Sequence, residues 1–379
     1  MNSINYFLST DVSIGIGIME KIIDFIKEFN SDVPGILYDN NLSSNEYFNK
    51  NIQIIKKEFP KTFDIVNEFK GEPTYNYLEK IRSKFEDNQP DLIIAIGGGS
   101  TLDLGKGVAL LLKNDVPALS LKGFPKEVND PLPLITIPSI FGSGSEVSYN
   151  AVFIDEDEGK KLGINSRKNF PKKSLLDPML TMSAPISSVV SSALDTLVHC
   201  VDSFGSPKNN PISRMFSIQG FNQTYNILLN KDLMNPESRL SLGIGSVCGI
   251  IALMNASDGP TNGFAYYFGV KDKIPHGLAG GMFLIEVMKW NYNNGYDQYP
   301  LLLKHNINSL ENSNRQLFKG LDNIYNNYDI PTLNEFGYNK DQVDDLAENA
   351  SISLSGSFSG NPIPFDKSSA IEVISSLIK

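Results

Sequence analysis

The sequence predicts two domains of different class, an α/β domain over residues 1–183 and an all-helical domain over residues 184–379. A length of 379 residues suits two domains, since a domain commonly holds roughly 100–200 residues. In the first half, short apolar runs alternate with amphipathic stretches, which is typical of parallel βαβ units with both sheet faces covered. After Pro185 the strand signals fade and apolar residues recur at three- and four-residue spacing, which is typical of helices.

The individual elements follow from the same patterns. Buried strands are predicted at residues 35–39, 91–96 and 133–137. Pro73 is expected in the first turn of a helix, where its missing N–H costs nothing. Ser183 is expected to cap the first helix of the second domain. The helices predicted there cover residues 186–204, 212–229, 240–254, 278–290 and 371–378.

Composition narrows the class of protein. Hydrophobic residues make up 41% and charged residues 20%, which suits a folded globular chain. The net charge of −10 disfavours nucleic acid and anionic lipid as partners. Two cysteines form no disulfide framework, so a reducing cytoplasm is expected. The N-terminus lacks a targeting pattern, and the longest apolar stretch, residues 240–254, is shorter than the roughly 20 residues of a membrane span.

A glycine loop follows the strongest predicted strand. Gly97, Gly98 and Gly99 let the backbone turn sharply and approach a ligand closely. Ser100 is expected to cap the following helix, with Asp103 at capping-box spacing. The free N–H groups of such a helix start favour an anion such as a pyrophosphate, although a purely structural turn remains the alternative.

A second polar, glycine-rich turn, containing Ser139 and Ser143, follows another predicted strand. Two such turns at strand ends fit a dinucleotide that lies across the edge of the sheet. Asp39, at the end of an early strand, is a candidate for the acid that binds a ribose hydroxyl, and its charge favours NAD over NADP. The alternative for Asp39 is an ordinary turn residue.

The chain holds three histidines. His199 lies four residues after Asp195 on a predicted buried helix, so both side chains share one face and can grip one cation. A hydrogen-bonded or exposed Asp–His pair is the alternative. His276 opens another predicted helix, where a capping role is possible, and His305 is interpreted as a solvated loop or helix-end residue.

Taken together, these motifs resemble the iron-containing (group III) alcohol dehydrogenases, which are relatives of glycerol dehydrogenase and dehydroquinate synthase. The resemblance covers most of the chain. The matching segments are the glycine loop with Asp103 and Lys106, the second loop at 137–147, residues 161–164, Pro171, Asp177-Pro178, Asp195 with His199, and Pro275-His276-Gly277.

The resemblance implies a dehydroquinate-synthase-like fold, in which a dinucleotide-binding α/β domain and a helical domain bring nicotinamide and a divalent metal together in a cleft. The implied cofactors are NAD or NADP and Fe²⁺ or Zn²⁺. It also implies that Asp195, His199 and His276 bind the metal and that Lys161 lies near the nucleotide.

Three positions depart from the family pattern. Asn262 stands where the family has a ligand histidine, and its carbonyl oxygen is a weaker ligand for iron or zinc. Tyr266 stands where many members have a histidine near the substrate. Ile140 replaces a threonine that is common in the second loop. Three remaining ligands and an open position still suit a catalytic metal.

The expected function is that of a metal-dependent, NAD(P)-linked alcohol dehydrogenase or aldehyde reductase. Its substrate would be a small, polar alcohol or aldehyde in a specialised pathway, and Tyr266 or water would pass the proton. The resemblance further implies a homo-oligomer, for which a dimer is expected. One alternative is a non-redox cyclase or lyase of the same superfamily that uses NAD transiently. The other is a cofactor-binding protein with a degraded metal site, for which Asn262 is the best argument.

Overall fold

The computed structural model describes residues 6–303 and 310–378, with side chains of residues 310–312 outside the description. His305, which was expected in a solvated loop or at a helix end, lies outside the described residues. The chain separates into two compact units. One comprises Leu8–Ala184 and Met234–Gly243. The other comprises Pro185–Leu233 and Ile244–Lys379, together with the described residues before Leu8.

The first unit is built on a six-stranded parallel sheet, so its predicted class is confirmed. The strand order is β1-β10-β5-β4-β2-β3. These strands are β1 (Asp11–Ile14), β2 (Pro34–Asp39), β3 (Phe63–Asn67), β4 (Leu92–Gly97), β5 (Leu134–Pro138) and β10 (Lys173–Leu176). Two small antiparallel ladders complete the unit, β6 (Asn150–Ala151) with β9 (Ile164–Asn165) and β7 (Ile154–Asp155) with β8 (Lys160–Lys161).

Burial on both faces explains why three strands were predictable. The residues of β4 and β5 are all buried, and the side chains of β4 alternate between two apolar clusters, one on each side of the sheet. The predicted strands at 35–39, 91–96 and 133–137 are confirmed within one residue as β2, β4 and β5.

The helices of this unit are α1 (Ile22–Glu28), α2 (Glu46–Glu58), α3 (Tyr75–Glu86) and α4 (Gly99–Leu111). Two predicted helix starts are wrong in detail. Pro73 precedes α3, because Thr74 is the N-cap and its side chain accepts from the N–H of Tyr77. Ser100 does not cap α4, because Gly98 is the N-cap and the Ser100 hydroxyl instead donates to the carbonyl of Gly71 at 3.2 Å.

The strand order brings two predicted nucleotide-binding segments to one edge. Strand β3 pairs with β2 on one side of β2. The next strand, β4, pairs with β2 on its other side, and β5 and β10 follow in that direction. Such a reversal leaves a crevice at the carboxyl ends of the two strands that flank it, and ligands of open α/β sheets bind there. Those strands, β2 and β4, end at Asp39 and Gly97.

The second unit is helical, as predicted. Its helices are α5 (Ile186–Gly205), α6 (Pro211–Asn230), most of α7 (Pro236–Met254), α8 (Pro260–Asp272), α9 (His276–Asn293), α10 (Leu310–Asn327), α11 (Val343–Ser353), α12 (Ser355–Phe358) and α13 (Lys367–Ser376). The predicted cap at Ser183 is wrong, since Pro185 occupies the N-cap position and the Ser183 hydroxyl accepts from Asn45. Helices α8, α10, α11 and α12 were not predicted.

Helix α7 is the one helix in the described part of the chain that has the length and apolar composition of a membrane span. Two thirds of that stretch, 67%, is buried inside the structure. Burial of this kind is typical of the core helix of a soluble protein, as expected for residues 240–254.

Candidate active site

The glycine loop is held in close contact with its neighbours. A Cβ atom on Gly97 would lie 2.7 Å from Thr101 Cβ and 3.0 Å from Asp39 Cβ, so Asp39 lies directly beside the loop. A Cβ atom on Gly99 would lie 2.8 Å from the Ser143 hydroxyl. These contacts are too close for a larger residue, and α4 begins at this point, where the first N–H groups of a helix lack an i−4 partner.

The second loop packs onto the first. The N–H of Ser139 donates to the carbonyl of Gly97 at 2.9 Å, and Ser143 touches the Gly99 position. Ile140 lies next to Gly98, where a Cβ atom would be 3.6 Å from Ile140 Cγ2. The predicted residues Gly97, Gly98, Gly99, Ser139 and Ser143 are therefore brought together, and Asp39 is beside them.

A buried ionic network ties the two loops to each other. Lys106 Nζ donates to Asp103 Oδ1 at 3.1 Å, to the Ser145 hydroxyl at 2.8 Å and to the carbonyl of Asn150 at 2.6 Å. The second oxygen of Asp103 accepts from the N–H of Val152 at 2.9 Å. Burial lowers the pKa of Lys106, while the Asp103 carboxylate opposes that shift. Asp103, predicted to bind the cofactor, thus has both carboxylate oxygens bonded within the protein.

Lys161 is linked to the glycine loop by a short segment. Its ammonium group lies 2.9 Å from Glu72 Oε1, and the side chain is 8% exposed. The neighbouring Gly71 carbonyl accepts from the Ser100 hydroxyl. Lys161 and Ser100 therefore bond to two adjacent residues, Glu72 and Gly71, and the charge of Lys161 is balanced by Glu72.

Glu146 is a buried carboxyl group in this region, and its protonation makes the stability of the fold depend on pH. The side chain is fully buried, Oε1 has no hydrogen-bond partner, and burial raises its pKa to about 7. The folded state therefore retains the Glu146 proton to a higher pH than the unfolded chain does. This contribution to stability is complete at low pH and is lost as the pH rises toward and through 7.

We expect Glu146→Gln to remove this pH dependence, because glutamine has no proton to lose. Relative to the unaltered chain, the variant should gain on the order of 1–3 kcal/mol in free energy of unfolding between pH 5 and pH 8. Urea unfolding at both pH values measures the difference. Glu127→Gln, the same change at an exposed position, is the control. An equal pH response in Glu146→Gln and the unaltered chain would contradict the assignment.

The four predicted metal-binding residues converge in the helical unit. His199 Nε2 lies 3.5 Å from Asp195 Oδ1, and His276 Nε2 lies 3.9 Å from the same oxygen. Asn262 Oδ1 lies 3.0 Å from His276 Nε2. Asp195, His199 and Asn262 are buried, and His276 is half-buried. Residues from α5, α8 and α9 thus meet at one point.

The geometry fits a divalent cation. Donor atoms bonded to one ion at about 2.0–2.2 Å lie roughly 3–4 Å apart, and the separations of 3.0, 3.5 and 3.9 Å fall in this range. Asp195 Oδ1 and His199 Nδ1 are buried without a hydrogen-bond partner. A buried carboxylate oxygen without a partner is costly, and a bound cation would remove that cost.

The cluster is not a cage of the usual ligand types. Among the described residues, no group of three or more His, Cys, Asp and Glu side chains is placed to hold a metal. The present cluster consists of one carboxylate, two imidazoles whose Nε2 atoms lie 3.5 and 3.9 Å from Asp195 Oδ1, and an amide as its fourth member.

Close packing of α9 against α5 brings His276 near Asp195. A Cβ atom on Gly277 would lie 2.1 Å from the carbonyl oxygen of Ser191 and 2.8 Å from Asp195 Cβ. Only glycine permits this approach. His276 is the first residue of α9, as predicted, and the contact at Gly277 places its ring opposite Asp195.

Asp202 is a buried carboxylate that the sequence analysis missed. Its Oδ2 accepts from the N–H groups of Gly259 at 3.0 Å and Asn262 at 2.8 Å. Burial raises the pKa of Asp202 to about 7, although the hydrogen bond from Asn262 acts in the opposite direction. Its position seven residues after Asp195 on α5, on the same helix face, is the signal that could have identified it.

The aromatic residues of α8 divide into two groups. Phe264 and Phe268 are fully buried in the apolar core of the helical unit. The ring of Tyr266 lies 4.8 Å from that of His276, and Tyr266 is half-buried. Tyr266 is therefore in ring contact with the polar cluster.

Two family models match this chain in succession. The model described as iron-containing alcohol dehydrogenase matches residues 9–178. The C-terminal model of the Fe-containing alcohol dehydrogenase family matches residues 189–378, which is half of the chain by itself.

Known proteins agree with this assignment. A 4-hydroxybutyrate dehydrogenase from Cupriavidus necator is 29% identical over 194 residues, covering 50% of this chain and 50% of that protein. An alcohol dehydrogenase from Thermococcus barophilus is 32% identical over 235 residues, covering 60% of this chain and 61% of that protein. The matched segments thus span between half and three fifths of these relatives.

A solved structure shares the whole fold. Sulfoacetaldehyde reductase from Bifidobacterium kashiwanohense, in complex with NAD⁺, has a TM-score of 0.90 and 19% sequence identity. The likeness covers 100% of this chain and 99% of that chain.

Proposed function

The chain belongs to the iron-containing alcohol dehydrogenase family, and from this premise we propose that it catalyses metal-dependent hydride transfer between NAD(H) and a small, polar alcohol or aldehyde. The observation that supports this proposal most directly is the meeting of Asp195, His199, His276 and Asn262 around a carboxylate oxygen without a partner. Nucleotide binding alone does not require such a set of donors.

In this proposal the helical unit holds the metal. Asp195 supplies the negative charge, His199 and His276 supply imidazole nitrogens, and Asn262 supplies a neutral oxygen. When bound, the divalent ion supplies Lewis acidity that polarises the substrate carbonyl or stabilises the alkoxide. Tyr266, whose ring contacts that of His276, would orient substrate and pass a proton through its hydroxyl.

The first unit would bind the nucleotide. The N–H groups at the start of α4 suit the pyrophosphate, while Gly97 and Gly99 admit it without steric hindrance. Asp103 and Lys106 would hold the two loops together rather than contact the cofactor. Asp39 beside the glycine loop favours NAD, because its carboxylate would repel a 2′-phosphate. Lys161 would approach the same nucleotide.

Substrate class is inferred from chemistry and from relatives. The proteins similar to this chain are named for 4-hydroxybutyrate, simple alcohols and sulfoacetaldehyde, which are small and mostly polar. For this chain we propose a substrate of the same general kind, without naming one compound. We also propose a homodimeric state and a cytoplasmic location. An acidic surface with a net charge of −10 supports the absence of nucleic-acid and lipid partners.

The test combines metal analysis with turnover. Protein loaded with Fe²⁺ or Zn²⁺ should oxidise NADH with a panel of small aldehydes, and it should use NADPH less well. Loss of turnover after chelation and its return with added metal are expected. NADH binding without metal uptake and without turnover would overturn the proposal.

The presence of asparagine at position 262 supports one alternative function, that of a cofactor-binding protein with a degraded metal site. The Asn262 side chain already contacts His276 at 3.0 Å, so the cluster is partly satisfied without a cation. The experiment above separates the two candidates, since the second predicts nucleotide binding alone. A cyclase or lyase for a phosphorylated substrate gains no support, because residues 255–269 contain no lysine or arginine.

A further inference from the structure

Asp202 lies on the same helix face as the two metal-binding candidates of α5. It follows His199 by three residues and Asp195 by seven, so the three side chains are stacked on successive turns. Asp202 is 6% exposed. A buried carboxylate in this position needs strong hydrogen bonds to be tolerated.

Its partners are the N–H groups at the beginning of α8. The N-cap of α8 is Gly259, which has no side chain to cap the helix. The first N–H groups of a helix have no partner within it, and Asp202 Oδ2 accepts from those of Gly259 and Asn262 at 3.0 and 2.8 Å. A Cβ atom on Gly259 would lie 2.8 Å from Asp202 Cγ, so glycine is required for this contact.

We propose that Asp202 is a positioning residue that fixes Asn262 beside His276 and opposite Asp195. This inference rests on the proposed function, in which the cluster holds a divalent ion. Asp202 bonds to the backbone of Asn262, and the Asn262 side chain reaches His276 at 3.0 Å. One rigid helix, α5, thus carries two donors directly and holds a third in place by a hydrogen-bonded carboxylate.

This arrangement distinguishes Asp202 from an ordinary core residue. Loss of its carboxylate leaves two N–H groups at the start of α8 without an acceptor, so Asn262 is free to shift. Asp195 and His199 stay in place, because they lie two turns and one turn earlier on α5, respectively. The expected defect is therefore one of metal binding, with nucleotide binding intact.

The experiment compares Asp202→Ala, Asp202→Asn and Gly259→Ala with the control Asp258→Asn. Asp258 belongs to the same loop, but its Oδ2 accepts from Ser357 at 2.7 Å. Zn²⁺ affinity is measured by competition with a chromogenic chelator. Hydrogen exchange followed by mass spectrometry reports on residues 258–266, and fluorescence titration reports on NADH binding.

Asp202→Ala should weaken Zn²⁺ binding about 10- to 100-fold and speed exchange in that peptide, as expected when a residue that supports a ligand is lost. Asp202→Asn should recover most of the affinity, because its amide oxygen can accept the same hydrogen bonds. Gly259→Ala should resemble Asp202→Ala, since it displaces the carboxylate without removing it, and it serves if Asp202→Ala does not fold. NADH binding should be unchanged throughout.

Unchanged Zn²⁺ affinity and unchanged exchange in both Asp202→Ala and Gly259→Ala would overturn the inference. So would an equal loss in Asp258→Asn. If the unaltered chain takes up no Zn²⁺, the proposed function fails, and exchange of residues 258–266 still decides whether Asp202 holds α8.

Discussion

Asp195→Asn should abolish tight binding of a divalent ion and lower kcat/KM for aldehyde reduction by about three orders of magnitude. Asp195 supplies the only negative charge among the four converging residues, and its Oδ1 lies 3.5 and 3.9 Å from the two histidines. Replacing the carboxylate with a neutral amide removes the main electrostatic attraction for the cation. Metal content after dialysis and steady-state kinetics measure both effects.

The same variant should not be less stable in the metal-free state. Asp195 Oδ1 is buried without a partner, which is costly for a carboxylate and less so for an amide. Thermal unfolding should show a Tm at or above that of the metal-free unaltered chain. Added Zn²⁺ should raise the Tm of the unaltered chain but not of the variant.

Asp272→Asn provides the matched control for this pair of measurements. Asp272 lies at the end of α8, where its carboxylate accepts from the Tyr338 hydroxyl. The Asp272→Asn variant should retain both the Zn²⁺-dependent rise in Tm and the aldehyde reductase activity. A metal-dependent rise in Tm that persists in Asp195→Asn would contradict the assignment of Asp195 as a ligand.

Much of the first unit could be predicted because its strands are buried on both faces. β2, β4 and β5 are continuous apolar runs, and such runs are visible in the sequence. β1 was not predicted because it is a partly exposed strand at the sheet edge. β3 was not predicted because it includes Asp64 and Asn67. β10 begins with Lys173, whose charge is balanced by Asp11 and Glu28 from elsewhere in the sequence.

Helix caps were the least predictable feature, since a cap depends on which neighbour offers an acceptor. Ser100 looked like a cap but donates to Gly71 instead, because Gly98 already begins the helix. The start of α8 is capped by Asp202, which is 57 residues from Gly259 in the sequence. No local pattern at 255–262 could reveal that partner.

The site itself was largely visible in the sequence, because its residues occur in motifs. The spacing of Asp195 and His199 identified one face of a helix, and the structure places both in contact range. The convergence of Asn262 and His276 depended on the family resemblance. The position of α9, and with it that of His276, depends on the close packing of Gly277 against Ser191. The spacing of residues within one segment of sequence does not reveal such a contact.

We expect Asn262 to set how well the proposed site discriminates among metals. Its neutral oxygen is a weak ligand for Zn²⁺ or Fe²⁺, and it is hydrogen-bonded to His276 Nε2 at 3.0 Å. Because a carbonyl oxygen only accepts, that nitrogen must carry a proton to make the bond, and this is the tautomer that cannot bind a metal through Nε2. Metal uptake must therefore break the Asn262–His276 hydrogen bond.

We expect Asn262→His to tighten Zn²⁺ binding by at least about tenfold, and more strongly than Mn²⁺ binding. An imidazole in this position adds a ligand suited to Zn²⁺, whereas Mn²⁺ prefers the oxygen that is lost. Competition with a chelator gives both affinities. Asn349→His, the same change at an exposed position of α11, controls for an added histidine. If Asn262→His leaves the ratio of Zn²⁺ to Mn²⁺ affinity unchanged while Asp195→Asn still abolishes binding, Asn262 lies outside the coordination sphere and the ion is held by Asp195, His199 and His276 alone.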